Sequence, residues 1–171
     1  MRNSKDIIIL GVDPGLAKTG FGLICCSAGK EQLIDYGCIE TSQKTELARR
    51  LLEIHQRLGS IIAEHQPDFL AVEDLFFAKN AKSALKVGQA CGVIALTGSL
   101  AGLPVLTFTP LEIKQALAAY GRAGKDQVQK MVRILLNLKE IPQPDHAADA
   151  LAAAICASRS IKLSECLNKQ K

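Results

Sequence analysis

The chain has 171 residues, 48% of them hydrophobic, and a formal net charge of +4, which fits one domain with a continuous core and a mild lean toward polyanionic partners. No apolar run suits a membrane: the longest weakly polar stretch, Cys91 to Leu103, is broken by Gly, Ser and Thr and falls short of the ~20 residues a bilayer span needs. The four apolar residues before Gly11 are too few for a signal-peptide core, and the six cysteines form neither a CxxC pair nor metal-ligand spacing, so the reading is a cytoplasmic protein with reduced thiols.

In chain order, Ile7 to Val12 is a β-branched run that ends at Asp13-Pro14-Gly15, a buried strand delivering a carboxylate into a turn. Strand signals at Phe21 to Cys25 and Leu33 to Thr41 follow, and the three make a meander. Glu46 to His65 spaces Leu47, Leu51, Ile54, Leu58 and Ile62 as one helical face, closed by Pro67-Asp68. Phe69 to Val72 is a short apolar strand that again ends in acid, Glu73-Asp74. A helix rich in small residues runs from Ala81 to about Leu100, followed by a strand over Pro104 to Thr109. Helices at Leu111 to Tyr120, Asp126 to Leu138 and Asp145 to Ser158 complete the chain. The order βββαβαβααα predicts an α/β fold, a mixed sheet with helices on its faces. Residues 1–158 read as one domain and 159–171 as a polar tail, loosely held on composition alone.

Charge is unevenly spread. Glu112 to Lys139 holds six cations and two acids, and Ala78 to Gly88 holds three lysines and no acid. Solvated helix faces would look the same, so the clusters are compatible with nucleic acid without requiring it.

The acids carry more. Hydrolysing a phosphodiester requires charge stabilisation on the attacking and leaving oxygens, which a pair of hard cations roughly 3.5 to 4 Å apart supplies. Asp13 and Glu73 would project from neighbouring strand tips if their strands pair in parallel. Singly, each is also an ordinary turn or cap residue. At the start of the last helix, His146 and Asp149 stand at i, i+3 on one face and can share an ion. Asp145 complicates this, being i, i+4 from Asp149, but an Asp beside Pro at a helix start more often caps it or answers its dipole. Phe76 and Phe77, two of five phenylalanines in a chain without tryptophan, lie next to Glu73 and a lysine-rich stretch. An aromatic there can stack on an unpaired base; core packing is the plainer reading, at least for one of them.

Taken together, the stretches 9–15 (ILGVDPG), 71–80 (AVEDLFFAKN), 83–90 (SALKVGQA) and 146–152 (HAADALA) closely resemble the RuvC family of bacterial crossover-junction (Holliday junction) endodeoxyribonucleases, in order, from about residue 7 to residue 157. The resemblance implies a ribonuclease-H-like fold on a five-stranded mixed sheet. It implies a homodimer that makes paired nicks in strands of like polarity at four-way junction DNA, in recombination and repair, beside the RuvA–RuvB branch-migration motor. It implies Mg²⁺, with Mn²⁺ as a substitute and two ions per subunit, held by a catalytic set of Asp13, Glu73, His146 and Asp149. Many members carry Asp where His146 stands, and a histidine there adds no negative charge and protonates near neutral pH. Phe76 matches the aromatic that unstacks junction bases. Lys114 and Lys125 match basic positions that contact phosphate, Lys125 also being placed to stabilise transition-state charge, and Lys79 reads as a further DNA contact. The small-residue helix Ala81 to Leu100 is the candidate dimer interface, with core packing as its alternative role.

Three other readings compete. A phosphotransferase of the actin and sugar-kinase type shares an Asp-x-Gly turn on its first strand, but it needs two such domains and a second phosphate loop. Another ribonuclease-H-like nuclease, acting on RNA, would keep the acids and lose the junction preference. A non-catalytic, structure-selective DNA-binding protein would use the basic helices alone.

Overall fold

The computed structural model describes residues 6–27, 29–74, 81–118 and 124–168. The strands are β1 (Ile7–Asp13), β2 (Lys18–Ser27), β3 (Lys30–Glu40), β4 (Phe69–Glu73) and β5 (Val105–Phe108). The helices are α1 (Leu47–His65), α2 (Ala81–Leu100), α3 (Pro110–Ala118), α4 (Lys125–Leu135) and α5 (Asp145–Asn168). They form one five-stranded sheet in the order β3-β2-β1-β4-β5. The meander β1-β2-β3 is antiparallel, while β4 and β5 continue the sheet parallel to β1. This is the mixed, helix-flanked sheet of the ribonuclease-H-like fold.

Strand alternation divides the core into two layers. Leu10, Val12, Leu70 and Val72 point to the face covered by α1 and α2, where Ile54, Leu58 and Ile94 meet them. Ile9 and Ala71 point to the opposite face, covered by α3, α4 and α5. By the same parity, the odd-numbered Asp13 and Glu73 belong to the α5 face.

The first half of α5 is buried on nearly every side, from Ala147 and Ala148 to Ala157. Its alanines let the helix lie directly on the sheet, and glycines on the strands receive it. A Cβ at Gly11 would collide with the Ala150 carbonyl and Ala154, one at Gly20 with the His146 carbonyl, and one at Gly22 with Leu151. The fully buried Leu151 fills the space over Gly22; cutting such a side chain to Ala costs about 2–5 kcal/mol. This close seating sets where the helix start stands relative to the strand tips.

Among the element ends that differ from the sequence expectation are those of two helices. The last helix does not stop at Ser158 but continues to Asn168. Its extension is tied down by contacts that composition does not reveal: Arg159 donates to the Ala116 carbonyl, and Lys162 pairs with Glu31 at 2.6 Å. Ser158 bridges Glu31 at 2.9 Å and the buried Cys26 thiol at 3.2 Å. Helix α4 ends at Leu135, short of Leu138, because Asn137 takes a left-handed conformation with φ 52° and the Leu138 N–H turns back to the Arg133 carbonyl. Among the described residues, no helix is long and apolar enough to cross a membrane.

Candidate active site

Asp13 and Glu73 are neighbours because β1 and β4 pair in parallel with Val12 opposite Val72. One residue further on, both chains end in acid at the carboxyl edge of the sheet, where ligands gather in open α/β sheets. Helix α5 starts across this edge. Its seat on Gly20 brings His146 Nδ1 to 2.7 Å from Asp13 Oδ2, so the ring N–H donates to the carboxylate. One turn on, Asp149 is held by Lys125 at 3.1 Å, and the same ammonium reaches Asp145 at 3.4 Å. Lys125 opens α4, which packs on α5, and Lys114 from α3 completes the wall. Glu73, Lys114, Lys125 and Asp149 together line a cleft of about 210 Å³.

The electrostatics are those of crowded anions. Asp13 is only 7% exposed, and burial pushes its carboxyl above the ordinary range while the His146 hydrogen bond pulls the other way. Glu73 is pushed up to about 7, by burial first and then by the charges of Asp13 and Asp149. Burial would lower the Lys125 ammonium, but Asp149 and Asp145 outweigh it, so its value is raised. Lys125 and Lys114 offset only part of this crowding, and Glu73 remains raised.

A hard divalent cation suits such donors, since Mg²⁺ is bound through carboxylate oxygens and keeps part of its water. Among the described residues, no three His, Cys, Asp or Glu side chains stand close enough together to cage an ion as they are. Asp13 is engaged by His146 and Asp149 by Lys125, so protein hydrogen-bond donors meet the oxygens that a metal would contest. The donor chemistry fits a hard divalent cation.

All four predicted acids and imidazole, Asp13, Glu73, His146 and Asp149, thus meet at one sheet edge, with Lys114 and Lys125 beside them. Phe76 and Lys79 lie outside the described residues. Asp145 departs from its expected role. It makes no capping hydrogen bond among the described residues; its carboxylate pairs with Lys125 instead, although it still places negative charge in the first turn of α5. Asp13 bonds His146 at 2.7 Å, whereas the contact shown for Asp145 is with Lys125. The strand glycines that seat α5 were missed in the sequence, although alternation of Gly20 and Gly22 along β2 is the pattern a closely packed helix demands.

Known proteins share this sequence pattern and fold. Residues 9–157 match the family model described as crossover junction endodeoxyribonuclease RuvC. A protein of that name from Halothermothrix orenii is 54% identical over 158 residues, covering 92% of this chain and 96% of the relative. The solved structure of Thermus thermophilus RuvC superposes with a TM-score of 0.86 at 35% identity, covering 92% of this chain and 97% of that one. The same protein in complex with Holliday junction substrate gives a TM-score of 0.83 at 34% identity, with 92% and 96% coverage.

Proposed function

Because this chain belongs to the crossover junction endodeoxyribonuclease RuvC family, we propose that it resolves Holliday junctions by Mg²⁺-dependent paired nicking at the Asp13, Glu73, His146 and Asp149 centre. The observation that carries the residue assignment is the alignment of two strand-end carboxylates beneath the first turn of α5, with His146 bonded to Asp13.

Asp13, Glu73 and Asp149 supply the oxygen donors for the metal, and His146 either orients Asp13 or joins them through its ring nitrogen. Two ions per subunit is the count this reading carries, with Mn²⁺ able to replace Mg²⁺. When bound, the metal neutralises charge on the phosphate and on the oxygens that attack and leave. The protein's own residues do the rest. Lys125, which pairs with Asp149 and Asp145 on the cleft wall, would meet a phosphate oxygen there, and Lys114 on the same wall would draw the backbone in. Phe76 is assigned to unstacking and Lys79 to backbone contact on the family resemblance.

Paired nicks require two sites related as the junction arms are, which a two-fold dimer provides. Helix α2 suits that interface. It exposes Leu85, Leu96 and Leu100, and a Cβ at Gly88 or Gly92 would meet open space, so a second helix can approach its backbone. The partners in this reading are four-way junction DNA, a second copy of the chain and the RuvA–RuvB motor.

The test is incubation with labelled four-way junction, linear duplex and RNA–DNA hybrid, each with Mg²⁺, Mn²⁺ or EDTA. Symmetric nicks in the junction alone, absent in EDTA, are expected. Cutting of the hybrid in preference would favour a ribonuclease, and binding without cutting in any metal would leave a structural DNA-binding protein.

A further inference from the structure

Arg50 lies on the inner face of α1 and is only 8% exposed, yet no carboxylate pairs with it among the described residues. Its Nε donates to Thr41 Oγ1 at 2.8 Å and one terminal nitrogen donates to the Leu16 carbonyl at 3.1 Å. A guanidinium has five N–H donors, so these two bonds leave most of the fork unused. A buried cation facing only neutral acceptors is costly to keep unless an anion reaches it from outside.

An anion has a way in. Arg50 lines a groove of about 580 Å³ together with Gly15, Lys18, Gln43, Lys86 and His146. Lys86 is exposed and makes no ion pair among the described residues. Lys18 pairs with Glu40 at 3.1 Å, but both side chains are about half exposed, at 49% and 62%, so the lysine can be shared with a stronger anion. The first turn of α5 thus borders two basic clefts, Asp149 lining one and His146 the other. One holds Lys114 and Lys125; the other holds Lys18, Arg50 and Lys86.

Resting on the reading of this centre as a DNA nuclease, we propose that the Arg50 groove seats a backbone phosphate of the cut strand beside the scissile one. Arg50 is the buried fork, which suits two phosphate oxygens at once, and Lys86 and Lys18 form the outer walls. The strand is then gripped on both sides of the metal centre, which fixes the phosphate to be cut. Arg50 also braces the turn after Asp13, since Thr41 Oγ1 donates to the same Leu16 carbonyl. Truncating Arg50 would confound the two roles.

The test leaves that brace intact. Binding of a fluorescent four-way junction to the full chain is followed by anisotropy in EDTA, across a salt series, for wild type, Lys86→Gln, Gln43→Glu and the double variant. Lys30→Gln, at the far end of the sheet, is the charge control. Each groove change is expected to weaken binding about 3- to 10-fold with unchanged melting temperature, Lys86→Gln also lowering the slope of log Kd against log salt by about one. Lys30→Gln should match wild type. Arg50→Lys, which keeps the charge and loses the fork, is expected to weaken binding by about 10-fold if it melts like wild type. Groove variants that bind with wild-type Kd and slope, while wild type binds and cuts the junction, would overturn the groove and leave the nuclease reading standing. A wild-type chain that neither binds nor cuts junctions would remove both.

Discussion

Glu73 offers the sharpest prediction, because its raised pKa makes the metal-free protein pay for its own active site. Burial and the neighbouring acids move the carboxyl from 4.5 to about 7. A group whose folded pKa lies above its unfolded one favours folding only below the unfolded value. That stability is fully present below about pH 4.5 and is lost as pH rises through about 7. Two to two and a half pH units, at 1.36 kcal/mol each, amount to about 3 kcal/mol at pH 8, or somewhat less because the side chain retains part of its hydration. Glu73→Gln removes the charge and keeps the shape. In EDTA at pH 8 the variant should therefore be more stable than wild type by ~2–3 kcal/mol, a rise of about 5–10 °C in Tm for a chain of this size. The gap should close as both proteins are melted at successively lower pH and vanish near pH 4. Adding Mg²⁺ should reverse the order, stabilising wild type and leaving the variant almost unmoved. A gap that does not change with pH, or a variant less stable than wild type at pH 8, would refute the reasoning.

Other substitutions probe the remaining parts of the centre. Asp13→Asn should abolish nicking while junction binding in a gel-shift assay stays within about twofold, since the scaffold and basic walls are untouched. His146→Ala should cut the single-turnover rate by at least about 100-fold; Asp145→Ala, which leaves Lys125 its shorter contact with Asp149, should cost less than about 10-fold, and the opposite ranking would move the Asp13 partner role to Asp145. Gly20→Ala drives a Cβ into the His146 carbonyl. Urea denaturation should show a loss of about 1–3 kcal/mol, and the nicking rate should fall along with it because the start of α5 is displaced.

The strands and helices whose apolar residues repeat at clear spacing were legible in the sequence. So were the acids closing β1 and β4, because an apolar strand ending in a carboxylate is a local pattern. What stayed hidden depends on contacts between distant segments. The start of β2 at Lys18, before the apolar run, is fixed by pairing of Asp13 with Gly20 across the sheet. Helix α5 passes Ser158 because Glu31, 127 and 131 residues away in sequence, receives Ser158 and Lys162. Arg50 stands at i, i+3 from Leu47 and i, i+4 from Ile54, on the edge of the apolar face of the helix, but its bonds to Thr41 and Leu16 come from the fold. Lys125 was placed among phosphate contacts by resemblance, but its hold on Asp145 and Asp149 follows from how α4 packs against α5.

The claim at the centre of this account is that Asp13, Glu73, His146 and Asp149 hold the catalytic metal. A crystal soaked in Mn²⁺ and measured at the manganese absorption edge tests it directly. The predicted result is anomalous density among the oxygens of Asp13, Glu73 and Asp149, with Lys125 moved away from Asp149. Manganese bound elsewhere on the chain, with Lys125 still on Asp149 and no density at this sheet edge, would contradict it.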